Sequence, residues 1–178
     1  MNKLLLTLAC AAGLLAQGSA QGVDTTMLLQ RLGANWPTHN GDYTGQRFSP
    51  LKQINTTNVG SLTLAWSFQT HQAAMKATPL VVDGIAYFSV PDHVWAADAR
   101  TGRQIWHFSR TSVGDHIASR GVSMFKDRIY FGTPDAHLIA LDARNGTKVW
   151  EVEVADWKFG YYISAAPLVV KDKLLVGM

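Results

Sequence analysis

The chain has 178 residues, with 16 Lys+Arg against 13 Asp+Glu and a formal net charge of +3. So mild a balance, with no basic cluster, excludes a nucleic-acid surface on electrostatic grounds. At 47% hydrophobic and 16% charged residues the chain is core-rich and not disordered.

The first element is a leader. Met1-Asn2-Lys3 carries one charge, Leu4 to Ala16 is an apolar stretch broken by Thr7 and Gly13, and small residues stand at Gly18 and Ala20. This order predicts a secretory signal peptide over residues 1–20, cleaved near Ala20, and a periplasmic or secreted product. The apolar run falls short of the roughly 20 residues that a membrane span needs. Cys10, the single cysteine, lies within the leader, so the mature chain from Gln21 has no disulfide framework and no thiolate metal site.

Residues 21–61 form an N-terminal lead-in. Within it, Asp24 to Leu32 reads as a short amphipathic helix with Met27, Leu28 and Leu32 on one side, expected to pack on the outside of the domain that follows.

From residue 62 onward the sequence repeats itself. Pro79-Leu80-Val81-Val82-Asp83-Gly84 leads to Ile85–Ser89, then Val90-Pro91-Asp92, Val94–Ala97, the turn Asp98–Gly102, and Ile105-Trp106. The same order returns through Val122–Asp127, Ile129–Gly132, Thr133-Pro134-Asp135, Leu138–Leu141, Asp142–Gly146 and Val149-Trp150. Trp106 and Trp150 are 44 residues apart, as are Asp98 and Asp142, and Pro167 opens a third copy 88 residues after Pro79. Asp83-Gly84 supplies the positive φ values of a tight hairpin. Gly102 suits a left-handed turn position, and Asp98 can accept from amides of its own turn.

Four strands in such a period are one blade of a β-propeller. The predicted fold is therefore all-β. It comprises a blade at 79–109, a second at 121–154, and the start of a third at 166–178. Leu62–Phe68 matches the last strand of each unit but precedes the first, as expected of a strand that closes a propeller by pairing with its final blade. Leu174–Met178 is apolar with no turn or polar tail, which reads as a chain that continues. Trp106 and Trp150 are expected to be packing anchors. The six histidines show no metal-ligand spacing.

The residues also resemble a known family. Asn35-Trp36-Pro37, Gly41-Asp42-Tyr43-Thr44-Gly45-Gln46-Arg47-Phe48-Ser49-Pro50-Leu51, Gln53-Ile54-Asn55, Leu64-Ala65-Trp66 and Ala77-Thr78-Pro79-Leu80 are similar to the start of the PQQ-dependent (quinoprotein) alcohol dehydrogenases. Ala140-Leu141-Asp142-Ala143, Gly146 and Trp150 look like that family's tryptophan-docking motif, and the resemblance covers essentially residues 33–178.

The resemblance implies an eight-bladed propeller holding pyrroloquinoline quinone (PQQ) with Ca²⁺ or a lanthanide. Such enzymes oxidise an alcohol and pass electrons to a cytochrome; the metal polarises the quinone and a carboxylate takes the alcohol proton. Arg120, in Ser119-Arg120-Gly121-Val122, matches an arginine that contacts the quinone, and Ser164 stands where the family has a cofactor-binding threonine. The competing assignments are an inter-blade ion pair for Arg120 and a strand-end serine for Ser164.

Two positions depart from the pattern. Gly114-Asp115-His116-Ile117 lacks the adjacent cysteines of many relatives, leaving His116 as a candidate to face the cofactor, and Lys76 replaces a glutamate that bonds the quinone. The family's metal ligands and catalytic aspartate belong to sequence beyond residue 178, so no complete active site is expected within these residues. These losses at the cofactor face leave open a non-catalytic propeller that acts as a protein-binding scaffold.

Overall fold

The computed structural model describes residues 22–72, 75–113 and 118–178. The signal peptide expected over residues 1–20 and the candidate His116 lie outside the described residues.

Local chemistry sets the strands. The first sheet consists of β1 (Leu80–Val82), β2 (Ile85–Val90), β3 (His93–Asp98) and β4 (Gln104–Ser109), antiparallel in sequential order. Asp83 and Gly84 take φ values of 50° and 77°, which turns β1 into β2 as the Asp-Gly pair requires. The carboxylate of Asp98 accepts from the backbone N–H of Arg100 and Thr101 at 2.9 and 3.0 Å, and Gly102 holds φ 71°. This turn connects β3 to β4.

The second sheet repeats the plan with β5 (Ser123–Phe125), β6 (Arg128–Gly132), β7 (His137–Asp142) and β8 (Lys148–Glu153). Even its irregularity recurs: the register shifts between Ala96 and Ala97 in the first sheet and between Ala140 and Leu141 in the second. A two-stranded sheet of β9 (Leu168–Val170) and β10 (Lys173–Leu175) opens a third unit. The two four-stranded sheets are blades, and the two-stranded sheet the beginning of another, of a partial propeller.

A core cluster joins the two four-stranded sheets, running from Leu80, Val82 and Tyr87 to Ile129, Phe131, Ile139 and Leu141. Its key is an indole. The ring of Trp106, on β4, lies over Gly146 of the next sheet, and its Nε1–H donates to the carbonyl of Ala143 at 2.9 Å. A Cβ on Gly146 would stand 2.6 Å from the ring. Trp66 makes the same two contacts one unit earlier, over Gly102 and with Nε1–H donating to the Ala99 carbonyl at 3.1 Å. Residues 62–68 around Trp66 have no strand partner among the described residues, and Leu64 is 81% exposed.

The lead-in differs from the sequence expectation in length and place. The helix α1 (Thr25–Leu29) is capped by the Asp24 carboxylate, which accepts from the Met27 N–H, and it stops at Gln30, whose ψ of 158° is extended. Leu28 enters the core cluster and lies beside β5, so the helix covers the side of the first strands. Asp24, Thr25 and Thr26 face solvent, which leaves too little apolar surface to carry the helix further. Trp36 then pairs with Val81 through two backbone hydrogen bonds, extending the first sheet beyond β1.

Candidate functional site

Antiparallel pairing brings the three sequence-predicted residues to corresponding positions. Lys76, Arg120 and Ser164 each stand three or four residues before the first strand of a unit, β1, β5 and β9. Arg120 and Ser164 are joined directly, since the Arg120 N–H donates to the Ser164 carbonyl at 2.8 Å. Gly121, at φ 125°, packs its Cα against Ala77 and Thr78, and an added Cβ would meet the Thr78 carbonyl oxygen at 3.2 Å. The segment that carries Lys76 therefore lies next to the segment that carries Arg120.

The Arg120 guanidinium is exposed and has no hydrogen-bond or ion-pair partner among the described residues. Ser164 is half-buried and Lys76 is exposed.

Arg120 also lines a cleft of about 580 Å³ with His39, Tyr43, Val122, Pro167 and Val169. Ser164 and Lys76 are not on its lining, so the cleft unites only one of the three with the lead-in. Tyr43 closes one side by donating its hydroxyl to the Val169 carbonyl. The His39 ring nitrogen Nδ1 is buried with no hydrogen-bond partner of good geometry among the described residues, while Nε2 lies 2.9 Å from Arg47 Nη2. Burial, and then the Arg47 charge, lowers the His39 pKa, so the ring stays neutral beside two arginines.

A group that sequence reasoning passed over lies at the same end of the sheets. The β6–β7 connection carries Asp135, 2% exposed, whose carboxylate takes two hydrogen bonds from Arg110 Nη1 at 2.8 and 2.9 Å. Thr133 Oγ1 donates to the same carboxylate at 2.5 Å, and Ser112 Oγ, whose proton is directed to Asp92, lies 3.1 Å from it. Arg110 also reaches Glu151 at 2.9 Å, and the Ser112 N–H donates to Asp92 at 2.9 Å. Burial alone would raise the Asp135 pKa, but the Thr133 and Arg110 donors outweigh it and hold the acid at about 2. The repeated Pro-Asp of 91–92 and 134–135 was the available signal, legible as turn punctuation and not as a clamp.

The arrangement suits an anion. Arg120 offers a planar donor fork, Lys76 an ammonium and Ser164 a hydroxyl, and no acidic side chain pairs with either cation among the described residues. That donor set fits a carboxylate-bearing quinone. Among the described residues, no group of three or more His, Cys, Asp or Glu side chains is placed to hold a metal ion, and no helix is long and apolar enough to cross a membrane.

Comparison with known proteins agrees with the fold. The family described as "Glucose/ethanol/alcohol dehydrogenase, beta-propeller domain" (PQQ) matches residues 36–178. Quinohemoprotein alcohol dehydrogenase ADH IIB of Pseudomonas putida is 40% identical over 97% of this chain and 26% of its own length. The solved quinohemoprotein alcohol dehydrogenase of Comamonas testosteroni superposes with a TM-score of 0.80 at 37% identity, covering 87% of this chain and 25% of that one. A europium-containing methanol dehydrogenase gives a TM-score of 0.73 at 36% identity over 81% of this chain and 27% of its own. The chain thus spans about a quarter of the length of these relatives.

Proposed function

From the premise that this chain belongs to the PQQ-dependent glucose/ethanol/alcohol dehydrogenase β-propeller family, we propose that it is the N-terminal part of an exported dehydrogenase that oxidises alcohols and passes the electrons to a cytochrome. Residues 1–20 are its cleaved signal peptide and the periplasm its compartment. Residues 62–68 pair with a final blade formed by sequence beyond residue 178. Alone, the 178 residues are inactive.

The observation that carries this reading is the backbone bond from the Arg120 N–H to the Ser164 carbonyl, with the Lys76 segment packed on Gly121 and the exposed Arg120 side chain unpaired among the described residues. Arg120 would hold a quinone carboxylate or oxygen through its fork, and Ser164 would donate a hydroxyl hydrogen bond. Lys76 would pair as a point charge with a second carboxylate, in place of the acid that relatives carry. The quinone, assisted by Ca²⁺ or a lanthanide, supplies the two-electron chemistry when bound. Tyr43 and the apolar first strands line the cleft next to Arg120.

The test is PQQ binding to the full-length apoprotein, followed by fluorescence quenching. Arg120→Ala removes a charge-assisted contact of about 1.5–3 kcal/mol and is expected to weaken binding by about ten- to a hundredfold. Equal affinity for wild type and R120A would refute the assignment.

A further inference from the structure

The Asp135 clamp has a connection to the proposed cofactor-binding residues that runs through backbone atoms. Asp135 holds Thr133 Oγ1, the Thr133 carbonyl accepts the Ile163 N–H at 3.1 Å, and the next residue, Ser164, accepts the Arg120 N–H at 2.8 Å. Ile163 is 2% exposed and packs directly on Gly132, where a Cβ would fall 2.0 Å from its Cγ2. There is no slack in that contact.

The same carboxylate grips the other end of the link between the sheets. Residues 110–122 run from β4 to β5. Arg110 and the Val113 N–H both donate to Asp135, the latter at 3.4 Å. At the far end of the link the Ser119 hydroxyl lies 2.9 Å from that of Ser89, and both residues are buried. Asp135 thus holds Arg110 and Val113 just after the end of β4 and, through Thr133 and Ile163, the approach that brings the Ser164 carbonyl to the Arg120 N–H.

We propose that Asp135, acting through Thr133 and Arg110, is the positioning residue that sets Arg120 and Ser164 at the spacing the quinone requires. The inference rests on the proposed PQQ function. Asp142 supplies an internal comparison. It is also a buried carboxylate, 7% exposed, paired with Arg144 at 2.6 Å and Arg128 at 3.5 Å, but it stands in the β7–β8 turn at the opposite end of the sheet.

The experiment uses the full-length protein in apo form, with Asp135→Asn, Thr133→Val, Thr133→Ser and Asp142→Asn beside wild type. Three quantities are read: the Tm, the PQQ Kd from fluorescence quenching, and hydrogen exchange of the amides of Arg120 and Ile163. D135N and T133V are expected to weaken PQQ binding at least tenfold and to speed exchange at both amides, while T133S retains wild-type behaviour. D142N is expected to lower the Tm comparably and leave the Kd within twofold of wild type. If D135N does not fold, T133V carries the test, since it removes only the hydroxyl.

Unchanged Kd and exchange in T133V, or equal loss of affinity in D142N, would overturn the positioning role. Wild type that takes up no PQQ would overturn the functional reading itself, and is told apart by failing before any substitution is made.

Discussion

Replacing Gly146 with alanine tests the inter-sheet contact quantitatively. Two costs add. A non-glycine residue at φ 72° pays about 1 kcal/mol for the left-handed backbone. The new Cβ would also lie 2.6 Å from Cε3 of Trp106, roughly 1 Å inside ordinary carbon contact, so the indole must move. Moving it loses the 2.9 Å bond to the Ala143 carbonyl, about 1 kcal/mol, and part of the burial of a ring now only 7% exposed, about 1–2 kcal/mol more. The sum is about 3–4 kcal/mol. Gly84 is the control, with φ 77° and no atom within 4 Å of a built Cβ, so Gly84→Ala should cost only about 1 kcal/mol. Native-state hydrogen exchange of the β7 and β8 amides in the full-length protein measures the local opening free energy. A G146A cost no larger than that of G84A would refute the claim that the ring contact, rather than backbone strain, is what the glycine serves.

Acid should loosen the same region. Asp135 and Asp142 are both held at about 2, below the ordinary 3.8, Asp135 by Thr133 and Arg110 and Asp142 chiefly by Arg144. Depressed carboxylates stabilise the fold fully above their unfolded pKa, and that stability is lost as pH falls toward 2. A denaturation series from pH 6 to pH 2 should therefore show the midpoint falling below about pH 4, and D135N should flatten the fall. Residues 21–178 expressed alone should not yield a monomer with a cooperative melt. Leu64, Trp150 and Val152 expose apolar surface at 81%, 38% and 49%. Light scattering and calorimetry check this, and a sharp two-state transition from a monomer would contradict it.

Much of the architecture is legible because a propeller repeats. Asp83-Gly84, the Asp98 turn and Gly102 fixed the strand ends locally, and the 44-residue interval placed the second sheet. Burial of Trp106 follows from the same pattern. Other features were not visible because their partners are distant in sequence. Trp36 pairs with Val81, 45 residues on, and nothing in Asn35-Trp36-Pro37 announces a strand. The lead-in helix ended early because its amphipathic period is carried by only three apolar residues, whereas Leu28 is claimed by tertiary packing. Within the site, Arg120 and Ser164 emerged from family resemblance, and Lys76 from a departure within it. Asp135 looked like half of a turn, since its donors Arg110 and Val113 lie 25 and 22 residues away.

The seating of each tryptophan on the following unit imposes a direction on assembly. Trp106 belongs to the first sheet, but the glycine and carbonyl that receive it, Gly146 and Ala143, are made some 40 residues later. As the chain emerges from its N-terminus, a blade can pair its four strands and still be unlatched until the next one has been threaded out. Maturation then trails emergence by one repeat, and the most recent blade is always the open one. Trp150, 38% exposed, has no such seat among the described residues.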